Sequence, residues 1–313
     1  MPNGARLMVD SGPTFKPLPY GLWSVVQAVD DSDVHWQNGI EFQPDNCDPA
    51  SSTQDNCAAI SNSFTKDPTS DCLPTMGNNP VTVYARLNCG PGPGLEQLAQ
   101  AEARLAAALT NGEARAIEEI FWTGEVDVPA GGVHWPHLAA NTAVVSGVGC
   151  AAVTLQPAAT VVVTGAVDVA EAIGVLEGAM GSCYGGVPTI HVPRSALAGL
   201  DALGLVRASG GQLTTLGGSL VAAGAGYTGS GPDGTMPAYP QSWFYATGAI
   251  MARRSPLRFT STFEEAVDRR KNDLVRIAER TYVIGWDCCL FAVQVSLGGM
   301  GTGQGNTAAQ IVT

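Results

Sequence analysis

Large apolar residues recur every three or four positions in one alanine-rich stretch, which is the pattern of an amphipathic helix. They are Leu95, Leu98, Leu105, Leu109, Ile117, Ile120 and Phe121. The spacing predicts a long helix over residues 95–122. Thr110 and Glu113 have the spacing of a capping box, which predicts that this helix is kinked or divided in its middle.

Downstream, shorter patterns predict an α/β region followed by a β-rich one. The predicted helices are 169–180, 195–205 and a short one at 262–271. The predicted strands are 161–163, 185–193, 213–223, 243–253, 274–286 and 288–297. The last residues, 298–313, are predicted to be a glycine-rich flexible tail. Helices mixed with strands, followed by strands alone, indicate an α+β protein.

The chain before the long helix lacks periodic apolar positions. Residues 1–35 contain Pro13, Pro17 and Pro19, which prevent a helix at the start. Residues 36–94 are polar and rich in turn-forming residues. Because connections in compact domains are usually a few residues long, we expect an excursion of this length to be functional or bound to another molecule.

Composition adds an expectation about assembly. The 313 residues are 45% hydrophobic and only 14% charged, whereas roughly a quarter is charged in typical soluble domains. The apolar surplus is expected to lie in subunit interfaces, because obligate interfaces resemble a core divided between two chains. The net charge of −12 argues against a protein that binds free nucleic acid.

Charge is unevenly distributed along the chain. Asp30–Asp71 holds nine acidic residues and one basic residue, Lys66, whereas Arg253–Arg280 holds eight of the sixteen Lys and Arg residues. The two segments either meet in the protein or form two separate solvated faces.

The sequence carries no recognisable targeting segment. Residues 1–20 lack the basic start and the apolar run of a signal peptide. The longest uncharged stretch, 138–167, contains too much Ala, Gly, Ser and Thr for a membrane helix. We therefore expect a soluble protein made in a cytoplasm, with no membrane partner.

Eight cysteines are present, and none has the C-x-x-C spacing of a zinc site. The first four lie in the polar excursion: Cys47, Cys57, Cys72 and Cys89. A disulfide among these four is one alternative if the protein works outside the cell. Cys288 and Cys289 are expected to lie on opposite faces of a strand, at least one of them as a small buried apolar residue.

The motif G-x-G-x-x-G occurs at Gly224–Gly229, directly after the apolar run Leu220–Ala223. In a dinucleotide-binding fold a helix follows this loop, and its N-terminus binds the pyrophosphate. The prolines and glycines of residues 230–240 exclude that helix. The motif therefore predicts a mobile glycine-rich loop after a strand rather than a phosphate site.

Other catalytic patterns are missing from the sequence. There is no G-x-S-x-G elbow and no P-loop motif. His134 and His137 are expected to be ordinary loop histidines, because Pro136 prevents the helix that would align them on a metal. His191 is expected to be a satisfied, partly buried histidine. Two acidic pairs are expected on solvated faces: Glu118–Glu119 and Glu264–Glu265. No catalytic, cofactor-binding or metal-binding residue is predicted.

Several segments of the sequence resemble those of a known protein family. They are DVAEAIGVLEGAM at 168–180, VPTIHVP at 187–193, GGQLTTLGGSLV at 210–221, WFYATG at 243–248 and NDLVRIAERTYVIGWD at 272–287. These phrases and the order of the elements resemble the major capsid proteins of tailed double-stranded DNA bacteriophages, which have the Hong Kong 97-type capsid fold. The last two phrases resemble the closing strands in phages that infect actinobacteria.

The resemblance implies an α+β subunit with a defined series of parts. These are an N-terminal arm at 1–35, an extended loop at 36–90, a P-domain at 91–139 with the spine helix 95–122, an A-domain at 140–242, closing strands of the P-domain at 243–297 and the flexible tail at 298–313. The glycine-rich loop then belongs to the A-domain, where its glycines serve chain conformation and close packing.

The resemblance also implies a structural protein rather than an enzyme. Copies of the chain are expected to form the hexamers and pentamers of an icosahedral phage head around double-stranded DNA, contacted without sequence specificity. Scaffold, portal and decoration proteins are the other expected partners. Assembly is expected in the host cytoplasm, and the product is the capsid of the virion. The alternatives are an encapsulin-like shell around cargo and an α/β enzyme with an unrecognised site.

In the family, the extended loop lies across the P-domain of a neighbouring subunit, so the two charged segments are predicted to meet there. The predicted inter-subunit contact residues are Asp45, Asp48, Asp55 and Asp67 on the loop, and Arg253, Arg254, Arg269 and Arg270 on the neighbour. Arginine suits such contacts because its guanidinium binds a carboxylate through two hydrogen bonds. The alternative is that these arginines face packaged DNA.

Overall fold

The computed structural model describes residues 15–30, 33–44, 47, 74–89, 95–126, 132–259, 267–268 and 273–298. The α-helices in these ranges are α1 (Leu95–Thr123), α2 (Val169–Cys183) and α3 (Leu197–Ala202). The strands in the same ranges are β1 (Val29–Asp30), β2 (Ile40–Phe42), β3 (Thr75–Asn78), β4 (Pro80–Cys89), β5 (Val144–Ser146), β6 (Val153–Gln156), β7 (Thr160–Val167), β8 (Thr189–Pro193), β9 (Val206–Ser209), β10 (Gln212–Thr215), β11 (Leu220–Gly224), β12 (Gln241–Thr247), β13 (Ile250–Arg254), β14 (Arg258–Phe259), β15 (Val267–Asp268), β16 (Asp273–Trp286) and β17 (Leu290–Ser296).

Within the described ranges the strands form three sheets. The seven-stranded sheet has the order β7-β17-β12-β8-β11-β10-β9. The six-stranded sheet has the order β1-β13-β16-β14, and β4 and β15 also pair with β16. The four-stranded sheet has the order β2-β3-β6-β5. This combination of sheets with few helices confirms the predicted α+β class.

Helix α1 packs against the six-stranded sheet through its predicted apolar positions. The buried ones include Leu105, Leu109, Ile117 and Phe121. The sheet side of this core includes Tyr282, Ile284 and Trp286 of β16. Strand β16 pairs with the full length of β4. The helix is continuous through Thr110–Glu113, so the prediction of two separate helices is wrong, whereas a kink there stays a prediction.

Helix α2 packs against the seven-stranded sheet and forms a second core. Asp168 caps the helix, because its side chain accepts a hydrogen bond of 2.8 Å from the backbone N–H of Glu171. The buried face of α2 carries Ile173, Leu176 and Met180, which pack with apolar residues of β8, β12 and β17. The predicted helix over 169–180 is confirmed and continues to Cys183.

Several predicted elements are shorter or divided in the structure. The predicted strand 213–223 is two antiparallel strands, β10 and β11, because a turn with Gly217 and Gly218 reverses the chain. The predicted strand 243–253 is β12 and β13, which lie in different sheets. The predicted helix 195–205 is α-helical only at 197–202.

The predicted helix 262–271 is wrong at Val267–Asp268, which pair with β16 as β15; its other residues lie outside the described ranges. The predicted extended loop, 36–90, contains the strands β2, β3 and β4. The domain boundaries stay predictions. Strands β12 and β17 nevertheless share a sheet with strands of the predicted A-domain, although they were predicted as closing strands of the P-domain. None of the helices described is long and apolar enough to cross a membrane.

Candidate functional site

The glycine-rich loop leaves β11 at Gly224 and lies against helix α1. Residues 225–240 contain no helix, as predicted. Gly226 makes the close approach, because a Cβ there would lie 2.7 Å from the backbone nitrogen of Glu119 and would collide with the carbonyl oxygen of Arg115. Gly226 does not have a positive φ. Close packing, not an unusual backbone conformation, therefore requires glycine at this position.

Glu118 of α1 connects three separate parts of the chain. Its side chain is buried, and its Oε1 accepts a hydrogen bond of 2.9 Å from the backbone N–H of Leu22. Its Oε2 accepts one of 3.0 Å from the backbone N–H of Gly226. The prediction that Glu118 lies on a solvated face is wrong. Its two partners are 96 and 108 residues away, so local sequence carries no signal for them.

The same hydrogen bonds decide the role of the glycine motif. A bound phosphate would need free backbone N–H groups in the loop, but the N–H of Gly226 is bound to the carboxylate of Glu118. That carboxylate would also repel an anion at short range. The loop is therefore a packing element of the protein.

The second half of the loop is held by aromatic residues. The indole Nε1 of Trp122 donates to the carbonyl oxygen and to the hydroxyl oxygen of Ser230, at 3.2 and 3.1 Å. The hydroxyl of Tyr245 donates to the same carbonyl at 3.0 Å. The ring centroid of Trp122 lies 4.9 Å from that of Tyr227 and 5.0 Å from that of Tyr245. The loop thus joins the end of α1 to β12.

His191 of β8 is completely buried and fully hydrogen-bonded. Its Nδ1 lies 3.1 Å from the hydroxyl of Tyr227, and its Nε2 lies 3.0 Å from the hydroxyl of Thr247. The two hydroxyls can provide the one donor and one acceptor that a neutral imidazole needs. Burial lowers the pKa of His191 to about 3. The prediction of a satisfied histidine is confirmed, although the side chain is fully rather than partly buried.

Acid should destabilise the fold through this histidine. The unfolded chain gains a proton at His191 below pH 6.5, whereas the native state resists protonation down to about pH 3. Stability is therefore complete above pH 6.5 and falls below it, by up to about 1.4 kcal/mol per pH unit for one such group. Urea unfolding at pH 7, 6 and 5 should show a smaller loss with pH for His191→Gln than for the natural chain.

The matched control for this experiment is His35→Gln, since the side chain of His35 is largely exposed. This variant should keep the pH dependence of the natural chain. Equal pH dependence in all three proteins would contradict the assignment of the acid sensitivity to His191.

His134 and His137 lie in the turn between α1 and β5, and both are buried. The Nδ1 of His137 is 2.9 Å from the carbonyl oxygen of His134, and its backbone N–H donates to Oε1 of Gln156 at 2.7 Å. Burial lowers the pKa of both histidines, that of His134 to about 4. They are structural residues of the loop. In the described part of the chain, no cluster of His, Cys, Asp and Glu side chains is arranged to hold a metal ion.

Two ion pairs join helix α1 to β16. The Nη1 of Arg280 donates to Oε1 and Oε2 of Glu113 at 2.8 and 3.1 Å, and both side chains are largely buried. Burial, and then the nearby charge of Glu113, raise the pKa of Tyr282. The second pair is Arg276 with Glu102, at 2.5 Å. The spacing of Glu113 from Thr110 predicted that it caps a helix. In the structure Glu113 instead faces the sheet.

Most of the predicted inter-subunit contact residues lie outside the described residues: Asp45, Asp48, Asp55, Asp67, Arg269 and Arg270. Arg253 and Arg254 lie on β13. The Nε and Nη2 of Arg254 donate to the carboxylate oxygens of Asp30 at 2.8 and 3.1 Å, which lowers the pKa of Asp30. The acidic and basic segments thus meet within a single chain. Their contact between subunits stays a prediction.

Five described cysteines are in disulfides. Cys47 is bonded to Cys288, and Cys183 is bonded to Cys289; Cys150 is disulfide-bonded too. Cys288 and Cys289 lie in the turn between β16 and β17, so the prediction that they occupy opposite faces of a strand is wrong. The prediction that one of them is simply a small apolar residue is also wrong.

The fold is similar to that of solved capsid structures. The chain is similar to "Capsid of native GTA particle computed with C5 symmetry", with 14% identity, a TM-score of 0.53, and coverage of 94% of this chain and 96% of that chain. The capsid of the empty GTA particle has 13% identity and a TM-score of 0.52, with coverage of 94% of this chain and 95% of that chain. Mycobacterium phage Ogopogo has 14% identity and a TM-score of 0.42, with coverage of 93% of this chain and 97% of that chain.

By sequence, no protein family and no curated protein matches the chain. The likeness to the GTA capsids, at 13–14% identity, therefore concerns the fold. It confirms the capsid fold that the phrases of the sequence predicted. The glycine motif and His191, two candidates that the sequence analysis considered for chemistry, are packed and hydrogen-bonded inside this fold.

Proposed function

We propose that the chain is the major capsid protein of a tailed double-stranded DNA bacteriophage. One observation carries the proposal: the likeness to the capsids of the GTA particles covers 94% of this chain and 95% or more of those chains. The correspondence therefore extends over nearly the whole chain and is not limited to one part of it. A domain shared with an enzyme would match over only part of the chain.

The surface of the described residues supports an assembling protein. Large apolar side chains stand exposed on it, among them Tyr239 at 95%, Val148 at 86% and Leu216 at 65%. Tyrosine is enriched at interfaces between proteins, and the fully buried core of an interface is more apolar than the rest of the surface. Because only 14% of the chain is charged, few charges are available to keep separate copies apart. Contacts with further copies of the chain would cover these side chains.

We infer the finer details of assembly from the capsid proposal itself. The copies form hexamers and pentamers of an icosahedral head, made in the host cytoplasm and enclosing double-stranded DNA; scaffold, portal and decoration proteins are the other partners. The acidic residues of the predicted extended loop contact Arg253, Arg269 and Arg270 of a neighbour. Single exposed ion pairs contribute only about 0–1 kcal/mol, so such contacts act mainly on the choice of partner and register.

Assembly of the purified chain tests the proposal. The full chain, produced in bacteria and examined at micromolar concentration by sedimentation and negative-stain microscopy, should form capsomers or closed shells rather than monomers. Shells that protect double-stranded DNA from nuclease would support the phage head, whereas shells filled with protein would indicate an encapsulin-like container. A folded, homogeneous monomer over a wide range of salt and protein concentrations would contradict both.

A further inference from the structure

The two larger sheets are connected by two short segments that run side by side. Strand β12 of the seven-stranded sheet passes to β13 of the six-stranded sheet through Gly248–Ala249. Strand β16 of the six-stranded sheet passes back to β17 of the seven-stranded sheet through Asp287–Cys289. We call these two segments the crossing. Any change in the angle between the two sheets must bend the backbone here.

The two segments of the crossing are hydrogen-bonded to each other. The N–H of Gly248 donates to the carbonyl of Cys288, and the N–H of Asp287 donates to the carbonyl of Ala249, both at 3.0 Å. The N–H of Ala249 donates to the hydroxyl of Tyr184 at 3.1 Å. Gly248 has no room for a side chain, because a Cβ would collide with the carboxylate of Asp287 and lie 2.9 Å from the carbonyl oxygen of Cys288. The crossing is thus a compact unit. Separation of its two segments would free the backbone N–H groups of Gly248, Ala249 and Asp287, and hydrogen exchange can measure this.

Two of the disulfides end on this unit, at adjacent residues. Cys288 is bonded to Cys47, which follows β2 of the four-stranded sheet, and Cys289 is bonded to Cys183, the last residue of α2. Cys289 has a φ of 57°, a left-handed conformation that is uncommon for a side-chain-bearing residue. The turn therefore carries an unfavourable backbone conformation at the residue that the second disulfide holds.

We propose that Cys288 and Cys289 form a redox-sensitive brace that controls how freely the crossing opens. The inference rests on the proposed function, because a capsid is made in a reducing cytoplasm and persists in an oxidising exterior. In the reduced state the four thiols leave the crossing with its hydrogen bonds alone. In the oxidised state the turn is bonded both to Cys47 and to Cys183 at the end of α2. The crossing therefore cannot open without moving the segment around Cys47 and the end of α2.

The chemistry is thiol–disulfide exchange with a small disulfide such as oxidised glutathione. One cysteine thiolate attacks the small disulfide and releases one small thiol, which leaves a mixed disulfide on the protein. The partner cysteine then attacks the protein sulfur of that mixed disulfide and releases the second small thiol. Each brace bond that forms therefore reduces one small disulfide to two thiols, with two electrons transferred. The reverse reaction, with reduced glutathione in excess, opens the brace.

Hydrogen exchange on the full chain tests this inference. The natural chain is equilibrated in oxidised or in reduced glutathione, and exchange is followed by mass spectrometry on peptides that cover 247–250 and 286–290. Alkylation of free thiols, followed by peptide mapping, counts the bonds in each state. Reduction should speed exchange at the crossing by about tenfold or more, because loss of the cross-links makes local opening easier. Peptides of β8 and β11 should change little.

The variant with both Cys47→Ser and Cys183→Ser supplies the control. It removes both partners but leaves the turn itself unchanged, and it keeps Cys150, so any effect of reducing that other disulfide remains. Its crossing should exchange rapidly in both buffers. The inference is overturned if the four cysteines stay alkylatable in oxidised glutathione, or if exchange at the crossing of the natural chain is the same in both buffers. Failure of the chain to form shells would count against the proposed function alone, since this measurement does not need assembly.

Discussion

Replacing Arg280 with alanine should destabilise the folded chain by about 3 kcal/mol or more, whereas the same replacement at Arg254 should cost less than about 1 kcal/mol. Both arginines lie on strands of the six-stranded sheet, and both bind a carboxylate through two hydrogen bonds. The side chains of the Arg280–Glu113 pair are 18% and 9% exposed, but those of the Arg254–Asp30 pair are 32% and 69% exposed. Loss of Arg280 leaves a buried carboxylate without its cation.

The measurement is urea or thermal unfolding of the two alanine variants beside the natural chain. A third protein, with Arg280→Met and Glu113→Leu together, removes both charges and keeps apolar volume. It should recover most of the stability that Arg280→Ala loses, because replacement of a complete buried ion pair is often close to neutral. If Arg280→Ala and Arg254→Ala lowered the free energy of unfolding equally, burial would not determine how much each ion pair contributes to stability.

Gly226→Ala should also cause a large loss, of about 3 kcal/mol. The new methyl group would meet the backbone of α1 at Arg115 and Glu119, and a helix backbone cannot move aside as a flexible side chain can. The displaced loop would also lose the hydrogen bond from Gly226 to Glu118. We expect lower soluble yield and a lower unfolding temperature, with nucleotide addition making no difference to either protein.

The control is Gly178→Ala on α2, where no atom lies within 4 Å of the added Cβ. There alanine should stabilise the protein by about 0.5–1 kcal/mol, because it lowers the entropy cost of forming the helix. If both variants had the same stability, contact between the loop and α1 could not be the reason for glycine at 226.

The sequence predicted those features whose causes are local. The spacing of Leu105, Leu109, Ile117 and Phe121 located the long helix, because each turn of a helix brings the same face to the core. The residues after Gly229 excluded a nucleotide-binding helix, because proline cannot donate a helical hydrogen bond. Both conclusions needed only neighbouring residues, and both agree with the structure.

Features that depend on contacts between distant segments of the chain were not predictable in this way. Glu113 has the spacing of a capping residue, but its partner is 167 residues away on β16. Glu118 looks like half of a solvated acidic pair, but its partners come from the arm and from the glycine-rich loop. Cys288 and Cys289 follow a strand pattern, but the chain turns there to enter another sheet. In each case the deciding contact becomes visible only when distant segments are brought together.

The pairing of β4 with β16 also has a consequence for protein synthesis. Thr82 on β4 and Thr281 on β16 place their hydroxyl oxygens 3.2 Å apart, although 199 residues separate them along the chain. At ordinary rates of translation, a ribosome needs about 10–40 s to make that many residues. During this interval β4 lacks the strand beside which it finally lies. Nascent chains on one messenger RNA therefore cannot present a completed six-stranded sheet to one another until each polypeptide has been translated past β16.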